Sequence, residues 1–184
     1  MQRIATVVMN PGSASRALKL GLRGVCRADV GSSSVDYSKP FKLSAESLRG
    51  FVQYLAETSP INVAVGHKFL VCLLDKSIAV THADFQHLKM ATAIWGKDQA
   101  AERTAFSGGY LPITSLGNNK LLFFFSSSST HYDDDLGRPS EEVSELRQET
   151  LQAFIALCTE AGLGSKIKMN RDDACMLEIA IPIG

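Results

Sequence analysis

The sequence predicts an α+β fold, a single domain over residues 1–184 in which a mostly antiparallel sheet packs against three or four helices. Three observations point there. Strand-like runs and stretches with helical apolar spacing interleave without a strict βαβ rhythm. Short turn signals, Gly117-Asn118-Asn119 the clearest, separate neighbouring strand-like runs. Hydrophobic residues make up 45% and charged residues 21% of the 184 residues, close to globular averages, so a core can form without disulfides or metals.

Taken in order, Arg3 to Met9 is short and β-branched and runs into the turn Asn10-Pro11-Gly12. Ser13 to Val30 fits either a helix or a strand. Leu18, Leu22 and Val25 share one helical side, while Leu18, Leu20 and Leu22 alternate as in a strand. Both readings gather the cations on an exposed face. Ser44 suits an N-cap for a helix over Ala45 to Glu57, with Leu48, Phe51, Val52 and Leu55 at core spacing, and Ser59-Pro60 ends it. Ile61 to Val65, Lys68 to Leu74 and Ser77 to Val80 read as strands. Thr81 and Asp84 form a capping-box pattern for a helix carrying Phe85, Leu88, Ala91 and Trp95 inward, which Gly96 terminates.

Asp98 to Phe106 continues as a short helix, and Ser107-Gly108-Gly109 breaks the pattern. Tyr110 to Leu116 and Leu121 to Ser126 then form a hairpin around Gly117-Asn118-Asn119. Residues 126–139 read as a flexible polar loop. Ser140 caps a long helix with Glu141 and Glu142 in its first turn, where the helix dipole favours anions. Its apolar stripe is Val143, Leu146, Leu151, Phe154, Ile155 and Cys158, and Gly162 and Gly164 stop it. Lys166 to Met169 and Met176 to Ile183 close the chain as strands.

Cys26, Cys72, Cys158 and Cys175 are scattered without a CxxC pair and read as reduced core thiols. No signal-peptide order opens the chain, and no run approaches the roughly 18 apolar residues of a membrane span. A cytoplasmic location, or the interior of an intracellular assembly, is the expectation.

Nineteen basic residues balance nineteen acidic ones, which weighs against a dedicated nucleic-acid coat. The balance conceals two opposed regions. Residues 1 to 30 hold five cations, Arg16, Lys19, Arg23 and Arg27 among them, against Asp29. Residues 141 to 163 hold Glu141, Glu142, Glu145, Glu149 and Glu160 against Arg147. Complementary regions of this kind can join copies head to tail and set their register. The basic segment could also contact RNA or phosphate, although aromatic residues for base stacking are missing from it.

Ile4 to Ser15 (IATVVMNPGSAS) places a glycine-containing, hydroxyl-rich turn after a strand, where backbone N–H groups can cradle phosphate. The string resembles the opening phosphate loop of the acetate and butyrate kinases, whose first strand runs into an Asn-x-Gly-Ser segment. The resemblance implies phosphate contact by Asn10, Gly12 and Ser13. It covers about a dozen residues. No later part of that family's pattern follows, and those kinases are longer, two-domain chains.

Other candidate chemistry is sparse. His131, Asp133 and Asp135 share a polar stretch, but counted from Asp133 the sixth and twelfth positions hold Arg138 and Ser144, not the EF-hand glycine and glutamate. His82 and His87 are five apart and do not share a helix face as the HExxH histidines do. No metal or cofactor is expected. Ser107 precedes two glycines without Gly-x-Ser-x-Gly, and His67 follows Gly66 near a strand end, where catalytic groups often sit. The functional expectation is a non-enzymatic protein that associates with itself or a partner. The alternative is a small enzyme acting on a phosphorylated or acyl substrate, with its catalytic residues unassigned.

Overall fold

The computed structural model describes residues 35–126 and 128–182. Asn10, Gly12 and Ser13, the cations Arg16, Lys19, Arg23 and Arg27, and the ambiguous stretch Ser13 to Val30 lie outside them. Within the described residues the α+β expectation holds: four α-helices accompany one nine-stranded sheet whose strands all pair antiparallel.

Lys120–Ser126 (β7) is the spine of that sheet. Leu121, Phe123 and Phe125 are buried on one face, while Leu122 and Phe124 point to the other and are partly covered. This period of two is what a strand with one fully covered face produces. On one side β7 pairs with Ala174–Ala180 (β9), setting Phe123 opposite Leu177. β9 in turn pairs with Gly164–Asn170 (β8), an exposed border strand carrying Lys166 and Lys168. On its other side β7 pairs with Ile113–Gly117 (β6) through the expected hairpin. Asn118 and Asn119 both take positive φ, 49° and 57°, as a type I′ turn demands.

The remaining strands are Phe41–Lys42 (β1), Ala64–Val65 (β2), His67–Cys72 (β3), Ile78–His82 (β4) and Phe106–Tyr110 (β5). Several are segments of longer lanes. Val65 pairs with Ile113 and Lys68 with Tyr110, so β2 and β3 run in one register against β5 and β6. Leu111 N donates to His67 O across the gap (2.8 Å), where Pro112, lacking an N–H, interrupts the ladder. The lanes therefore run β1, β4, β2–β3, β5–β6, β7, β9, β8.

Ser107-Gly108-Gly109, expected to break the pattern, instead forms the middle of β5. The cause is crowding. A Cβ on Gly108 would lie 2.5 Å from the Phe69 carbonyl oxygen, so only glycine lets the two backbones pair this closely.

Ala45–Thr58 (α1) starts at Ser44, whose Oγ accepts from Ser47 N (3.1 Å) while Ser47 Oγ accepts from Ser44 N (2.9 Å). The helix buries Leu48, Phe51, Val52 and Leu55 against the sheet. Each such side chain contributes roughly 1.5–3 kcal/mol on burial. Ser140–Glu160 (α4) covers the same face, with the Phe154 ring 5.4 Å from Phe123 and 5.2 Å from Phe125. The opposite face of β3, β4 and β5 is covered by His87–Trp95 (α2), Lys97–Ala101 (α3) and a π-helical turn, Thr130–Asp134.

Three local expectations are corrected. Thr81 lies inside β4, and α2 begins at His87 with Gln86 at its N-cap, so the inward face carries His87, Met90 and Ala91 while Leu88 is exposed. Strand pairing with β3 outcompetes the local capping pattern. Ser140 is the first residue of α4 and Pro139 its N-cap; proline's fixed φ suits entry into a helix, and no side chain caps the end. The stretch 126–139, expected as a polar loop, buries Tyr132 and Asp133 completely, because its polar groups bond inward to neighbouring backbone.

Candidate functional site

The first turns of α4 rise beside the turn that joins β8 to β9. Gln148 Nε2 donates to Asn170 Oδ1 (2.6 Å) and Arg147 Nη1 to Asp172 O (2.7 Å), holding the two together. Between them opens a groove of about 900 Å³ lined by Glu141, Glu145, Asp172, Asp173 and Arg147, with Phe124 on its wall and Ser126, Ser128 and Ser144 around it. Among the described residues its charged lining comprises four carboxylates and one guanidinium, the latter already spanning to a backbone carbonyl. No salt bridge joins Glu141, Glu145, Asp172 or Asp173 to a cation among the described residues.

The four glutamates singled out from the sequence therefore divide. Glu141 and Glu145 face the groove. Glu142 pairs with Arg138 one turn back, and Glu149 pairs with Lys76 (3.4 Å) at a well-solvated site. Such an exposed pair contributes little to stability, yet it reduces the free charge of that flank. The acidic helix presents an anionic end, and its surface is not uniformly anionic.

A second concavity, about 380 Å³, lies where the end of α1 meets β3 and β4. His67 lines it, 4% exposed, with its ring 5.4 Å from Phe51 and 5.7 Å from His82. His67 Nδ1 lies 3.2 Å from Val65 O. A carbonyl only accepts, so Nδ1 carries the proton and Nε2 keeps its lone pair. Burial disfavours the imidazolium and lowers the His67 pKa to about 4, so the ring is neutral near pH 7. At the rim His82 Nδ1 lies 3.1 Å from Asp84 Oδ2.

The other sequence candidates do not converge on either concavity. Ser107 is buried in mid-strand and lines neither concavity. His87 Nε2 meets Gly109 O at 3.2 Å beneath α2, where burial lowers its pKa. Cys72, Cys158 and Cys175 are buried free thiols, and burial pushes Cys158 up to about 12, far from a reactive thiolate. His131 and Asp135 flank Arg103 on the outer side of the π-helical turn, whereas Asp133 points inward. Among the described residues no cluster of three or more ligating side chains could hold a metal ion, and no helix is long and apolar enough to cross a membrane.

Sequence reasoning missed Asp172, Asp173 and Arg147 as groove residues, and His82, Asp84, Tyr37 and Tyr54 as neighbours of His67. The doublet Asp172-Asp173 is visible between two strand-like runs, but its place beside α4 depends on how the β8–β9 hairpin returns. Fold and groove together define an α+β domain with an open anionic end. No protein family, curated protein or solved structure matches this chain.

Proposed function

We propose that this protein is a non-enzymatic assembly protein whose anionic groove receives the cationic segment bearing Arg16, Lys19, Arg23 and Arg27 from another copy of the chain. The observation that supports it is the convergence of Glu141, Glu145, Asp172 and Asp173 on one open groove. Complementary fields of this kind accelerate encounter and set register more than they add affinity. The contact is therefore sensitive to ionic strength, since exposed charges are screened beyond about 8–10 Å near physiological salt.

Light scattering on the full chain at low and high salt tests this. Oligomers at low salt should shrink as salt rises. Arg23→Glu and Glu145→Lys should each weaken association, and their combination in one chain should recover part of it, because the exchanged charges again complement each other. A monomer at every ionic strength, or a double variant no better than either single one, refutes the reading.

A further inference from the structure

The second concavity is independent of the anionic groove, and its lining points to different chemistry. Its walls are Tyr37, Tyr54, Phe85, Val65 and Pro60, with His67 within and His82 and Asp84 at the rim. Among the described residues neither lysine nor arginine lines it, so they offer a phosphate or carboxylate no cation to meet. The rim carboxylate of Asp84 is solvated and already faces His82, which leaves little to attract a cation. About 380 Å³ is the lower part of the range for small-molecule sites, which combine apolar walls with a few placed polar groups.

The placed polar group is His67. Its Nδ1–H is held by Val65 O, its ring is fixed between Phe51 and His82, and no hydrogen bond reaches its Nε2 among the described residues. An acceptor without a protein partner takes its hydrogen bond from water or from a donor entering the cleft. The aromatic neighbours form a wall: the Tyr54 ring lies 5.4 Å from Tyr37, tilted by 34°, and Tyr54 remains 43% exposed at the mouth. Aromatic pairs of this kind extend readily to one further ring.

We infer that this cleft binds a small neutral aromatic molecule carrying one hydrogen-bond donor, a phenol in its simplest form, with the donor on His67 Nε2 and the ring against the tyrosyl wall. Binding is insensitive to salt and does not require self-association, so it stands or falls separately from the groove.

The test is an NMR titration of the full chain with phenol, toluene and inorganic phosphate, following the His67 and Tyr54 ring signals. Phenol should saturate and shift both residues, and toluene should bind about 2–10-fold more weakly for want of one neutral hydrogen bond. His67→Phe should reduce phenol to the toluene level, with toluene little changed. Tyr54→Ser, at a position 43% exposed, should weaken both and carries the test should His67→Phe not fold. Phenol without saturation, phenol no tighter than toluene, or phosphate reproducing the phenol shifts would each overturn the assignment.

Discussion

Arg138 Nε lies 3.2 Å from Asp133 Oδ1, and the aspartate is wholly buried beneath the π-helical turn. The other carboxylate oxygen accepts from Ser129 N (2.8 Å) and Gly108 N (3.1 Å), while Arg138 also donates to the carbonyls of Tyr132, Thr104 and Phe106. One ion pair thereby joins the turn, β5 and the approach to α4. Asp133→Ala leaves Arg138 with Glu142 and the three carbonyls but strands the buried N–H groups of Ser129 and Gly108, at about 1–3 kcal/mol each. Urea denaturation reads this directly. Asp133→Ala with Arg138→Ala should cost less than the sum of the two single changes.

Gly108→Ala should destabilise by about 1–3 kcal/mol, the usual cost of forcing an atom into packed surroundings. The added methyl meets the Phe69 carbonyl and Leu70, on a strand held from both sides. Neighbouring Gly109 is a useful comparison in the same denaturation series. An unchanged midpoint for Gly108→Ala would mean that β3 and β5 separate more easily than their registry implies.

The depressed His67 pKa makes stability depend on pH in a defined direction. The unfolded ring titrates near 6.5 and the folded one near 4, so between these values the unfolded chain binds more protons. Stability contributed by the neutral buried ring is complete above pH 6.5 and is lost as pH falls towards 4. The integrated effect is about 3 kcal/mol, taken at 1.36 kcal/mol for each pKa unit. His87, also lowered by burial, adds in the same sense. Unfolding curves between pH 4 and 7 should show this slope, and a folded His67→Phe variant should lose the larger part of it.

Asn119 occupies a left-handed conformation in the β6–β7 turn. Asn119→Gly completes the Asn-Gly pair that type I′ hairpins favour and should stabilise by about 0.5 kcal/mol. Asn119→Val should destabilise by about 1–2 kcal/mol, because a branched side chain opposes positive φ. Thermal melts of the two variants should move in opposite directions.

Elements whose signal is local were legible in the sequence. Ser44 capping α1, the Asn118-Asn119 turn and the apolar stripe of α4 each act through residues a few positions apart. Failures arose where pairing partners are distant. Ser107-Gly108-Gly109 looks like a break until Phe69 is known to pass beside it, and Thr81 looks like a cap until β3 claims its backbone. Arg147 shows the same limit at the groove. Its position on α4 was plain, but its burial and its bond to Asp172 follow from a hairpin 25 residues further on. The sequence places Glu141, Glu142, Glu145 and Glu149 on one helix, while the division of these glutamates required the positions of Arg138 and Lys76.

The border strand β8 bears on the form that any assembly takes. Lys166 and Lys168 stand on either side of Ile167 along an edge that pairs only with β9 among the described residues. A second molecule adding its own β8 in antiparallel fashion would bring ammonium groups against ammonium groups across the new ladder, which is how natural sheets discourage such growth. Ribbons built by continuing the sheet past this border are disfavoured from the outset, so copies that meet would have to do so through another surface.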